Sequence, residues 1–139
     1  AQASDELDRA LDQRLQSIAE QWAAANKPFV LESRLAGWLA GGRADLRIYL
    51  DAPEEVRRAR IEGREETVAE MSVREVNEAG RYRSYYELDI DDRTFYDLQV
   101  NTARWSKSGV FTLVRTAIEQ YDEAHDEGAF DTPEVEFDL

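Results

Sequence analysis

Short apolar runs alternate with segments of helical periodicity along this chain, and that alternation narrows the fold more than any other feature. Phe29-Val30-Leu31 reads as a short buried strand ending at Glu32. Leu46-Arg47-Ile48-Tyr49-Leu50 reads as a second strand with alternate residues apolar, and Asp97 to Thr102 as a third. Helices fill the intervals. Ser4 is placed to cap a first helix whose Leu7, Leu11, Leu15, Ile18 and Trp22 step by three and four until Asn26-Lys27-Pro28 breaks it. Ser33 to Ala40 reads as a turn or short helix. Asp51-Ala52-Pro53 opens a helix that runs through Arg60-Ile61 and loosens around Gly63, with Glu54 and Glu55 at its positive end. Ser72-Val73-Arg74-Glu75 fits a capping box for a helix over 73–86, and Ser108 is placed to cap a last one carrying Val110, Leu113, Val114, Ala117, Ile118 and Tyr121. Together these predict an α/β fold, a parallel sheet flanked by helices. Ligands in such sheets sit beyond the carboxyl ends of the strands, here marked by Glu32, Asp51, Asn101 and Thr102.

Charge narrows the function. The formal net charge is -13, which disfavours binding to nucleic acid or an anionic membrane, since both require a positive surface. There are no cysteines, so disulfides and thiolate metal sites are excluded, and the single histidine, His125, lies in an acidic stretch read as a solvated tail over 122–139. No apolar run approaches the roughly 20 residues a membrane span needs, and the first residues lack signal-peptide character. A soluble cytoplasmic protein is the expectation.

Against this acidic background the 17 basic residues include only two lysines, Lys27 and Lys107. The arginines gather at Arg34, at Arg57, Arg58, Arg60 and Arg64, and at Arg74, Arg81 and Arg83. Like charges four apart on a helix repel by about 0.2–0.5 kcal/mol, so Arg60 with Arg64 calls for a cause. Guanidinium forks match phosphate geometry, and a small phosphate-bearing ligand is the leading one. Arg74, Glu78 and Arg81 fall on one helical face, with the carboxylate between two guanidiniums. Each group also has a structural reading: a surface salt bridge at Glu32-Ser33-Arg34, a solvated face at Arg60 and Arg64, an intrahelical ladder at Arg74, Glu78 and Arg81. Adaptation to high salt would explain the acid, though not the grouping of arginines.

Leu31-Glu32-Ser33-Arg34-Leu35-Ala36-Gly37-Trp38, the run from Ala44 to Pro53, the pair Arg60 and Arg64, the stretch from Arg81 to Asp97, and Val100-Asn101-Thr102 together resemble archaeal-type cytidylate kinases over residues 5–121. The resemblance implies a nucleoside monophosphate kinase of the adenylate-kinase-like P-loop fold, moving the γ-phosphoryl of ATP to CMP or dCMP with Mg²⁺. The acidic, lysine-poor composition suits a halophilic archaeon. On that resemblance Arg34 and Gly37 belong to the CMP site, and Glu32 stands near Mg²⁺ through water. Arg60 and Arg64 lie over ATP, Asn101 and Thr102 border its adenine, and residues 63–81 form a lid. Arg74 and Arg81 close on the transferred phosphoryl, positioned by Glu78.

One departure is large. The family's G-x-x-x-x-G-K-[ST] loop cradles phosphates with its amides and lysine, yet none of the seven glycines here is followed by Lys-Ser or Lys-Thr. The expectation is therefore a C-terminal portion of such a kinase, without its first strand and P-loop and inactive alone. The missing segment would come from upstream or from another chain. The alternative is a non-catalytic nucleotide-binding or assembly module.

Overall fold

The computed structural model describes residues 2–61, 68–86, 88–128 and 135, which fall into two compact units. The first comprises 1–45 with 130–139, the second 46–129.

In the first unit, α1 (Gln2–Ala24) packs against α2 (Ala36–Leu39) and a 3-10 turn (Gly41–Arg43). Its burial is concentrated late in the helix: Ala19 is fully buried, whereas Leu7 and Leu11 are more than half exposed. The helix starts ahead of Ser4, so Ser4 lies inside it rather than capping it. It stops where the sequence said it would. Lys27 N–H donates to the Trp22 carbonyl (2.8 Å) and Asn26 N–H to Ala23 (3.0 Å), with Asn26 at φ 53°. This is the left-handed cap in which Asn substitutes for glycine. Lys27 then sits over the Trp22 ring (5.6 Å), which also meets Phe29 at 5.8 Å.

Leu35, Trp38 and Leu39 supply the buried side chains around α2, and Gly41 follows at φ 54°, a conformation that favours glycine. Arg43 pairs with Glu20 on α1 at 3.1 Å. Val135 is buried, and its carbonyl accepts from Gln16 Nε2 at 2.6 Å, so this part of the acidic C-terminal stretch is packed. Residues 29–32, expected as a strand, are irregular, with Val30 83% exposed. A strand needs a neighbouring edge for its backbone donors and acceptors, and among the described residues none lies beside this segment.

The second unit is α/β. Strand β1 (Ile48–Asp51) pairs in parallel with β2 (Leu98–Asn101), Ile48 opposite Leu98 and Asp51 opposite Asn101. The connection carries α3 (Glu54–Ile61) and α4 (Val68–Tyr86); after β2 come a 3-10 turn (Thr102–Arg104), α5 (Lys107–Gln120) and a last 3-10 turn (Glu123–His125). Just before the ladder, Arg47 N–H donates to Asp97 Oδ2 (2.8 Å) and Asp97 N–H to the Arg47 carbonyl (2.8 Å). The apolar alternation in 46–50 misleads here. Arg47 is buried (3% exposed) and Leu50 is 53% exposed, because the first is pinned by Asp97 where the strands meet. Burial pulls the Arg47 guanidinium below its ordinary pKa, with Asp97 and Tyr96 acting against that shift.

Two expected caps are also reassigned. Helix α4 begins at Val68, so Ser72 is internal, and Glu75 turns instead to Arg57. Helix α5 is capped by Ser106, whose Oγ accepts from Gly109 N–H at 3.0 Å, while Ser108 lies within the first turn. The nearer serine is helical, so only the one in extended backbone can fold back on the free amides. Ser106→Ala should therefore cost about 1 kcal/mol in urea denaturation, and Ser108→Ala less than about 0.5 kcal/mol. The reverse order would return the cap to Ser108.

Candidate functional site

The best-defined polar cluster stands at the carboxyl end of β1 and β2, where a parallel sheet presents its loops to ligands. Asp51, the last residue of β1, organises it. Its carboxylate accepts from Arg93 Nη1 at 2.7 Å, and its backbone carbonyl accepts from Thr102 Oγ1 at 2.8 Å. Thr102 Oγ1 in turn accepts from Arg60 Nη1 at 2.9 Å. One threonine hydroxyl thus joins the strand end to an exposed guanidinium on α3. Asn101 has a local task, its side chain accepting from Ala103 N–H (3.1 Å) to cap the turn after β2.

Arg93 is held from several sides. It lies over the Tyr49 ring (4.1 Å) and its Nη2 donates to Tyr49 Oη at 3.3 Å. Burial draws its pKa down, but Asp51 and Tyr49 outweigh that and leave it raised. Tyr49 meets Tyr96 edge-on (5.2 Å, 82°), and Tyr96 stacks on Phe95 at 4.9 Å. Burial first, then Tyr49, pushes the Tyr96 phenol up to about 12, with Arg47 and Arg93 opposing.

The neighbouring arginines divide by partner. Arg58 pairs with Glu54 one turn back (2.7 Å) on the exposed side of α3. Arg57 reaches across to Glu75 on α4, and its Nε donates to the Ala52 carbonyl at 3.1 Å. The Glu75 hydrogen bond raises the Arg57 pKa despite partial burial.

Of the residues singled out from sequence, Arg60 and Thr102 are brought into direct contact, with Asn101 beside them. Arg74 and Glu78 lie one turn apart on α4, both half-buried. Arg81 is on the same helix, its side chain outside what is described, and Arg64 and 63–67 of the expected lid fall outside the described residues; 68–81 is helix. Glu32, Arg34 and Gly37 belong to the first unit. Glu32 and Arg34 are exposed, and Gly37 is buried within α2. Among the described residues no three His, Cys, Asp or Glu side chains converge as a metal cage.

Sequence reasoning passed over Arg93, Tyr49, Arg57 and Glu75 as site residues. Arg93 is 42 positions from Asp51 and Arg57 is 18 from Glu75, so no local spacing joins them. The one available signal was Asp51 itself, a carboxylate ending a strand.

Comparison with known proteins places the chain in a family. The cytidylate kinase-like family matches residues 1–104. A cytidylate kinase of Haloquadratum walsbyi is 47% identical over 144 residues, spanning 100% of this chain and 73% of the relative. One of Natronomonas pharaonis is 47% identical over 92% of this chain and 67% of its own length, and one of Pyrococcus horikoshii 39% identical over 97% and 70%. No solved structure matches the chain.

The Tyr96 environment yields a test of the cluster. The folded phenol keeps its proton to about 12, against an ordinary value of 10.0, so folding holds a proton that the unfolded chain releases first. The associated stability is complete below pH 10 and is lost as pH rises through about 12. Ultraviolet titration of tyrosinate should show one late-titrating phenol that disappears in Tyr96→Phe. Loss of no such phenol would contradict the packing described.

Proposed function

Because the chain belongs to the cytidylate kinase-like family, we propose that it carries the acceptor-side and arginine-bearing parts of an enzyme that moves the γ-phosphoryl of ATP to CMP or dCMP. The observation that carries this reading is the match, over the full chain, to relatives named cytidylate kinase. Arginines at the carboxyl end of the parallel strand pair support it.

The chemistry asked of these residues is electrostatic. Phosphoryl transfer passes through a loose transition state with charge spread over the oxygens, so positioned cations do most of the work. Arg34 holds the acceptor phosphate beside Gly37, and Arg60, set by the Thr102 hydroxyl, faces the donor with Arg64 and Asn101. Arg74 and Arg81, oriented by Glu78, meet the phosphoryl in transit. Mg²⁺ bound to ATP would supply charge neutralisation, and Glu32 would act near it through water. The segment 63–81 is assigned the role of a lid, whose part is to exclude water and so suppress hydrolysis of ATP.

These 139 residues contain no G-x-x-x-x-G-K-[ST]; the second reading is a nucleotide-binding or assembly module without catalysis. Turnover separates the two. The 139 residues alone should not phosphorylate CMP, and joining a segment bearing that motif upstream should confer activity. If the joined protein binds nucleotide without turnover, the second reading stands. In the active form Arg81→Ala should lower kcat by about 100-fold with little change in KM for CMP. An unchanged kcat would remove Arg81 from the chemistry. Thr102→Val, which frees Arg60, should raise KM for ATP by about fivefold, and an unaltered KM would detach Arg60 from the donor.

A further inference from the structure

Helix α4 is tied to the strand exit by a pair of residues to which the proposed chemistry gives no role. Arg57 on α3 donates through Nη1 to Glu75 Oε1 on α4, and through Nε to the Ala52 carbonyl at 3.1 Å. One guanidinium thereby joins the turn leaving β1, the body of α3 and the early part of α4. Glu75 adjoins Arg74 and lies three residues before Glu78, on the neighbouring face of the same helix. Glu75 thus gives α4 a side-chain tie to α3 and to the strand exit.

We infer that Arg57 and Glu75 are positioning residues, their ion pair holding α4 at the rotation that aims Arg74 and Arg81 at the transferred phosphoryl. The inference rests on the proposed role of those arginines. Magnitudes separate it from a merely stabilising contact. The two side chains are 35% and 37% exposed, and an ion pair so exposed contributes about 0–1 kcal/mol to folding. A displacement of about 1 Å in a catalytic group, by contrast, can cost about 100-fold in rate. Breaking the pair should therefore leave the fold standing and slow the reaction. The Arg58–Glu54 pair is the internal control: it has similar charge chemistry, but it lies within one helix.

The test uses the active form, with the phosphate-binding segment joined upstream. Arg57→Ala and Glu75→Gln should each lower kcat by about 10- to 100-fold, while KM for CMP stays within about threefold. Arg57→Lys should recover part of the loss. Combining Arg57→Glu with Glu75→Arg should restore more activity than either change alone, and Arg58→Ala should match the parent. Amide exchange should quicken in α4 of Arg57→Ala and Glu75→Gln, a readout independent of turnover. Unchanged kcat in both variants, in an enzyme that Arg81→Ala impairs, overturns the inference and leaves the role of Arg81 standing. An enzyme that Arg81→Ala does not impair overturns that role, and the inference with it.

Discussion

The candidate site hangs from the last residue of β1. Asp51 is at once a rung of the parallel ladder, the acceptor for Thr102 through its carbonyl, and the acceptor for Arg93 through its carboxylate. Backbone pairing puts Asp51 opposite Asn101, and the hydroxyl of the next residue then falls within reach of the Asp51 carbonyl. Arg60 follows from that placement. The exposed guanidinium is aimed by a hydroxyl that is itself fixed by the sheet. A charged hydrogen bond of this kind costs little to keep and gives the arginine one direction out of many rotamers.

The acid of this chain has two uses. Part of it is solvated surface, consistent with relatives from halophilic archaea. Part is structural: Glu20 takes Arg43, Asp51 takes Arg93, and Glu75 takes Arg57. Arginine suits both partners, since its planar fork pairs with carboxylates in the apo protein and with phosphates in a ligand complex. Few lysines are needed where direction matters more than charge.

Local signals located most elements and misplaced their ends. The helical periodicity of Leu7, Leu11, Leu15, Ile18 and Trp22 and the stop at Asn26 both proved sound, because each depends only on neighbouring residues. The parallel sense of the sheet was likewise legible from the alternation of strands and helices, though the pairing of 48–51 with 98–101 was not. Caps were harder. Ser4, Ser72 and Ser108 all have cap chemistry, but each sits inside a helix that starts earlier, and only Ser106 has the extended backbone a cap requires. The run at 29–32 has strand composition but, among the described residues, no strand beside it, so it is irregular.

By itself the sequence determined the α/β class, the helix stop at Asn26, and a family membership legible in ordered motifs from Leu31 to Thr102. These rest on local propensity or on residue order. Only the tertiary structure decided that Arg47 is buried while Leu50 is exposed, that Thr102 steers Arg60, and that Arg57 chooses Glu75 over its helical neighbour Glu54. An arginine several bonds long can reach carboxylates on any element that comes near. Which one it takes is set by the packing of strands and helices far apart in the chain, and no spacing in the sequence records that distance.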